Sequence, residues 1–422
     1  MLLLTAFALA ANTAYAAKNP ERGLAFYLVL VLVWPVSTIA GLQCSYELLG
    51  FVPVFFVLFC KKYDSITIGK LPALWLYFLF AVISTAYSAI FNDGQIQWFS
   101  MLGVIRLLLL LDISLTLLRR DSITAIVGFV VAINAVVVTW QLIDPSAGTL
   151  TAQLYAKESA QALVQSNANY AMSRLTGTFN NVVPNALFHI VAFNVFLSRM
   201  LNRGGDLKSL AMMGLTAYCG LMAASKAYFG GLIVSVIVWV VFLFIWKQAH
   251  AHVFQLKTGL AFFALVVLGL ILINFASGSR ISETFAYYAN SFFSGDAFST
   301  RYGSDGLVST GLDEWSSFFL TGVGFTVVGN EFVGDSQIVT MLHAAGFLGV
   351  ACFVFVMAQM LAAAIRKREV VSVSLAIALL AISTSGTTLF SIGGILAVCV
   401  IFDGRFNEKG LQSNDVARRE TT

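Results

Sequence analysis

The sequence predicts an all-α polytopic membrane helix bundle of 12–13 transmembrane helices, and three observations predict it. Hydrophobic residues make up 59% of the 422, charged residues only 11%, and the mean hydropathy is +0.84, well outside the range of a water-soluble domain. Apolar runs of membrane-crossing length recur along almost the whole chain. The basic residues between those runs are distributed very unequally.

Taken in order, segment 1–17 is apolar and ends in Ala14-Tyr15-Ala16, which has the look of a cleavage site. No lysine or arginine precedes it, so it is expected to stay as a first helix. Further spans are predicted near 24–42, 45–60, 71–91, 98–118, 122–143, 184–201, 208–224, 227–246, 257–276 and 337–364. The stretch 370–403 is broken by Ser383 to Thr388 and reads as two more passes. Residues 1–403 thus form one integral membrane domain, and 404–422 form a polar tail.

Joining the spans in simple alternation places nineteen basic residues on one side, among them Lys61, Lys62, Arg119, Arg120, Arg366, Lys367 and Arg368. Only five fall on the other: Lys157, Arg174, Lys226, Arg280 and Arg301. The first side is therefore predicted to be cytoplasmic, and the long loops at about 144–183 and 277–336 to face outward. The net charge of +4 reflects this topology, and no basic patch with interleaved aromatics suggests nucleic acid.

The five cysteines lie in or beside apolar helices without disulfide or metal-ligand spacing, and the four histidines are scattered. No metal site and no cofactor are expected, and no phosphate-binding loop for a nucleotide is present. Within the membrane, Arg106 and Asp112 share one helix six positions apart, so they point to different faces. A charge at that depth usually faces the bundle interior, which makes Arg106 a candidate for lining a cavity.

The loop 277–336 holds seven acidic residues and two basic ones, Arg280 and Arg301, each a candidate to bind an anionic group. In the first outer loop Arg174, Gly177, Phe179, Asn180 and Asn181 lead through Pro184 and Asn185 into a helix. Ser225 and Lys226 occupy a short outer turn. Glu314 and Trp315 follow Arg301, then come Gly322-Val323-Gly324. Gly334-Asp335-Ser336-Gln337 opens the helix carrying His343 and Gly346-Phe347-Leu348-Gly349.

This ordered series, over roughly 170–350, resembles the bacterial O-antigen polymerase and ligase superfamily, the Wzy-type polysaccharide polymerases. Asp335 stands where the ligases usually show His-Asn, which favours a polymerase, whereas Lys226-Ala227 departs from the family's arginine-glycine pair. The resemblance implies a metal-independent inverting glycosyl transfer on the periplasmic face of the inner membrane. The growing glycan would pass from undecaprenyl diphosphate to the sugar end of another lipid-linked repeat unit.

On that reading Arg174, Lys226, Arg280 and Arg301 would grip the diphosphate, since guanidinium and ammonium neutralise a leaving group without metal. Asp335, then Glu314 and His343, would orient or deprotonate the acceptor hydroxyl. The partners implied are undecaprenyl-diphosphate-linked oligosaccharides, membrane lipid and a chain-length regulator protein. A ligase delivering the finished glycan to the lipid A core, and a secondary transporter or flippase without chemistry, are the alternatives.

Overall fold

The computed structural model describes residues 1–39, 42–62, 68–144, 146–155, 174–179, 181–202, 206–246, 315–327 and 336–402. Positions 66, 167, 290, 294–295, 299, 303–304, 309 and 312–313 are also described. The predicted span 257–276, the tail 404–422 and four candidate residues, Arg280, Arg301, Glu314 and Asp335, lie outside the described residues.

The protein is an all-α polytopic membrane helix bundle. Its helices are α1 (Leu2–Lys18), α2 (Pro20–Val33), α3 (Tyr46–Lys62), α4 (Pro72–Phe91), α5 (Trp98–Leu117), α6 (Arg120–Ile143), α7 (Ala147–Tyr155), α8 (Val182–Asn202), α9 (Leu207–Met222), α10 (Lys226–Ile245), α11 (Gln337–Lys367), α12 (Val370–Ser383) and α13 (Ile392–Phe402). Among the described residues six of these, α4, α5, α6, α8, α10 and α11, are long and apolar enough to cross a membrane. Large apolar side chains such as Phe56, Ile83, Phe99, Phe129, Phe244 and Val354 are exposed on their outer surfaces. In water such a surface would aggregate; in a bilayer it meets lipid.

Two short antiparallel strand pairs lie at one end of the bundle. Strands β1 (Ser37–Ile39) and β2 (Leu42–Cys44) pair antiparallel between α2 and α3, and β3 (Gln95–Ile96) pairs with β4 (Thr326–Val327). Backbone bonds from Val36 to Leu154 and from Leu175 to Met222 gather the other connections of this end. The opposite end is rich in lysine and arginine. It is tied by Arg119 to Glu21 at 3.7 Å, by Arg120 to Glu369, and by Lys367 Nζ donating to the Ile401 carbonyl at 2.9 Å.

Three sequence expectations are revised. The predicted span 24–42 ends as helix at Val33, because Pro35 lacks the donor a helix needs and the chain turns into the β1–β2 hairpin. The two passes in 370–403 are helices of 14 and 11 residues, about 21 and 17 Å long. Both are shorter than the hydrocarbon layer, and in the connection between them Thr388 and Leu389 are buried, with Gln337 Oε1 accepting from Thr388 N at 2.9 Å. Finally, the predicted helix 337–364 is broken at Ala345 and Gly346.

Arg106 and Asp112 do face different neighbours, as their spacing predicts. Asp112 is no isolated charge in the apolar layer, however. The turn before α4 folds in to meet it, and its carboxylate accepts from Gly69 N at 2.6 Å, Lys70 N at 3.1 Å and Trp75 Nε1 at 2.9 Å. Burial pushes the Lys70 ammonium below its ordinary pKa, and the charge of Asp112 opposes that shift. Asp112→Ala is expected to lower stability by about 1–3 kcal/mol, since it leaves buried donors unmet. Thermal unfolding of the detergent-solubilised chain would read this, and an unchanged midpoint would exclude the role.

Candidate functional site

At the end opposite the basic one, two irregular segments are fastened to the bundle. The first, 174–179, carries the start of the predicted arginine motif. Gly177 has φ +63°, a left-handed turn position suited to glycine. Around it a buried amide network holds the backbone: Gln141 Oε1 accepts from Gly177 N at 2.9 Å and Asn134 Oδ1 from Thr178 N at 2.8 Å. Asn185 Nδ2 donates to the Thr176 carbonyl at 2.9 Å.

His189, one turn beyond Asn185, completes the network. Its Nδ1 lies 2.8 Å from the Asn185 carbonyl, which can only accept, so Nδ1 carries the proton. Nε2 is then the acceptor facing Asn134 Nδ2 at 3.4 Å. The imidazole is thus neutral and structural here. Asn134, Gln141 and His189 were missed in the sequence, although an asparagine and a glutamine seven positions apart on one apolar helix were a usable signal.

The second segment, 318–327, is built into the break in α11. In an unbroken helix Phe347 N would donate to the His343 carbonyl. Here the two are separated, and the loop takes both: Val323 N donates to His343 O at 2.8 Å, and Phe347 N to Phe319 O at 2.7 Å. The exchange gives partners to the His343 carbonyl and the Phe347 amide, the two groups that the break parts. Close approach needs glycines at Gly322 and Gly346, which have φ +68° and +59°, because a side chain on either would strike the other segment's backbone.

A polar stripe on α4, unremarked in the sequence, seats the same loop. Ser84 Oγ donates to the Thr321 carbonyl, Thr85 Oγ1 accepts from Phe325 N at 2.8 Å, and Ser88 Oγ bonds Thr326 Oγ1 at 2.9 Å. The glycine motifs 322–324 and 346–349, separate in the sequence, are therefore halves of one joint.

Beside the first of these segments lies a cavity of about 290 Å³ lined by Leu32, Glu47, Arg106, Leu107, Thr178, Phe179, Pro184, Phe390, Ser391, Ile392 and Gly393. Its floor is the start of α13, held from the side by Tyr77 stacked on Phe390 at 5.5 Å. Arg106 Nη2 donates to Glu47 Oε1 at 2.9 Å, and both side chains are mostly buried. The cavity thus joins the end of the arginine motif to the arginine that the sequence placed inside the bundle.

Of the predicted site residues, Arg174 is half-buried and stands four positions before Thr178, within about 14 Å of it along the chain. Lys226 opens α10, and the Leu175–Met222 bond brings the end of α9, four residues earlier, alongside the arginine motif. These two are gathered at one end. His343 is buried near the start of α11, and its carbonyl belongs to the joint. None of the three lines the cavity itself. No group of histidine, cysteine, aspartate and glutamate suited to a metal occurs among the described residues. In comparison with known proteins, no family model, no curated protein and no solved structure matches this chain.

Proposed function

We propose that this membrane protein polymerises lipid-linked oligosaccharide repeat units, moving a growing glycan from undecaprenyl diphosphate to the sugar end of another lipid-linked repeat at the periplasmic face of a bacterial inner membrane. The observation that carries the reading is the cavity: the end of the arginine motif and Arg106 meet in one hollow of a membrane bundle. It lies toward the end opposite the lysine- and arginine-rich one, which the positive-inside rule makes cytoplasmic.

The reaction needs little beyond positioning and charge. The acceptor hydroxyl oxygen forms the new bond to the anomeric carbon, the carbon–oxygen bond to the diphosphate breaks, and the diphosphate departs with the electron pair. Cationic side chains near the leaving oxygens stabilise that developing charge. Arg174 and Lys226, with Arg280 and Arg301 from the second outer loop, are proposed for this task. Asp335, Glu314 and His343 are proposed to receive the acceptor proton.

The broken helix α11 gives the transporter reading its one observation, because secondary transporters bind substrates at the ends of discontinuous helices. Here Val323 N and Phe319 O already occupy the freed His343 and Phe347 backbone groups. The break therefore joins protein to protein.

A deletion strain separates the readings by its lipopolysaccharide. Loss of a polymerase leaves a core bearing a single repeat unit; loss of a ligase leaves a bare core and polymer on the carrier lipid. Unchanged glycan would end both. Arg174→Ala and Lys226→Ala are each expected to reduce polymer formation by about 10²-fold at normal protein level. Full polymer in both variants would remove them from the mechanism.

A further inference from the structure

Resting on that reading, the cavity beside Arg106 allows a sharper statement about how the carrier lipid is held. Arg106 lies eight residues into α5 from Trp98, about 12 Å along the helix. Its side chain is 16% exposed and that of Glu47 14%. The pair shares one hydrogen bond, from Nη2 to Oε1, while the buried Nε meets no partner among the described residues. A guanidinium has five N–H donors in a planar fork, so the contact with Glu47 uses only a small part of its capacity.

The second observation is the uneven cover of α5. From Trp98 to Leu107 no residue is buried among the described residues, and Phe99 and Leu102 are 88% and 56% exposed. From Leu108 to Leu115 the side chains are nearly all buried. Among the described residues a mainly apolar stretch of helix, exposed at its start and partly exposed beyond, therefore runs down to a mostly buried arginine that borders a cavity. A charged head on a long apolar chain matches both parts: the chain against α5, the phosphate on the guanidinium.

We infer that Arg106 is a phosphate-binding position for a lipid diphosphate, and that Glu47 is its resident counter-ion, displaced when the phosphate arrives. A bidentate guanidinium–phosphate contact is stronger than the single bond it replaces. The carboxylate remains in the same cavity after displacement, so its charge opposes the bound phosphate. Removing that charge should therefore tighten binding, whereas a purely structural ion pair predicts damage from either side.

The test uses the full chain in detergent micelles, titrated with geranylgeranyl diphosphate, with the uncharged alcohol geranylgeraniol and with inorganic diphosphate. Glu47→Gln is expected to bind the lipid diphosphate at least about threefold more tightly. Arg106→Gln should bind at least about tenfold more weakly, and Arg106→Lys in between. Equal affinity in all variants would overturn the inference, as would weakening in Glu47→Gln to match Arg106→Gln. Geranylgeraniol binding as tightly as the diphosphate would reduce the site to an apolar groove. Inorganic diphosphate binding as tightly would make it a site for soluble anions; either result defeats the lipid diphosphate assignment.

Should Arg106→Gln fail to fold by gel filtration, Glu47→Gln and Arg106→Lys decide the matter. A deletion strain with unaltered glycan would remove the polymerase reading while leaving this binding result standing. Polymer loss on deletion together with invariant affinity would do the reverse.

Discussion

Gly346→Ala is expected to detach the 318–327 segment from α11 and to cost at least about 3 kcal/mol. Gly346 has φ +59° and ψ −152°, a backbone region that is essentially glycine's alone. An added Cβ would also lie 2.5 Å from the Leu320 carbonyl oxygen and 2.8 Å from that of Phe319. Both obstacles are backbone, so neither can rotate away. The lost bonds include Phe347 N to Phe319 O and Val323 N to His343 O, after which α11 can close its own ladder as an ordinary helix. Limited proteolysis between 318 and 327 should become much faster, and the thermal midpoint should fall. Gly230→Ala, where an added Cβ meets nothing within 4 Å, is the matched control and should leave both unchanged or slightly improved. Equal proteolysis of the two variants would mean that the loop is not seated by this joint.

Gly177→Ala is expected to be nearly as damaging, by about 2–3 kcal/mol, for a different reason. Its φ of +63° already strains any residue with a Cβ, and the new methyl would overlap Asn134 Oδ1. That oxygen cannot simply move, because it accepts from Thr178 N and Thr178 Oγ1, while Asn134 Nδ2 faces His189. Displacing it leaves buried donors unmet and shifts Thr178 and Phe179, which line the cavity. Polymer formation should therefore fall along with the thermal midpoint. Asn134→Ala breaks the network without straining the turn, so a smaller loss of stability with a comparable loss of polymer would separate positioning from backbone strain. Native stability in Gly177→Ala would show that the turn does not need its left-handed geometry.

The site was only partly legible in the sequence. Arg106 stood out because a lone charge in an apolar run has few affordable places, and the structure does put it in a cavity. Glu47 did not stand out, since it sits in the first turn of α3, where an acidic residue is ordinary. The glycines of 322–324 and 346–349 stood in the sequence as parts of two separate motifs. Their shared purpose is visible only when Val323 N and Phe347 N are seen to bond across the break. Ser84, Thr85 and Ser88 went unremarked in the sequence for the same reason: their partners lie 237 to 240 positions away.

What the amino-acid order determined by itself was the class, together with an expected topology. Hydrophobic run length must match the hydrocarbon thickness, and the basic residues must gather on one side; both are local or additive properties that need no knowledge of neighbours. Tertiary structure alone decided where helices break or stay short: at Ala345 and Gly346, and around the short pair α12 and α13. A broken helix is stable only if another part of the chain meets the freed backbone groups, and a short one only if protein, not lipid, surrounds its end. Those conditions are set by long-range contacts, and through them by the cavity that Arg106 shares with the end of the arginine motif.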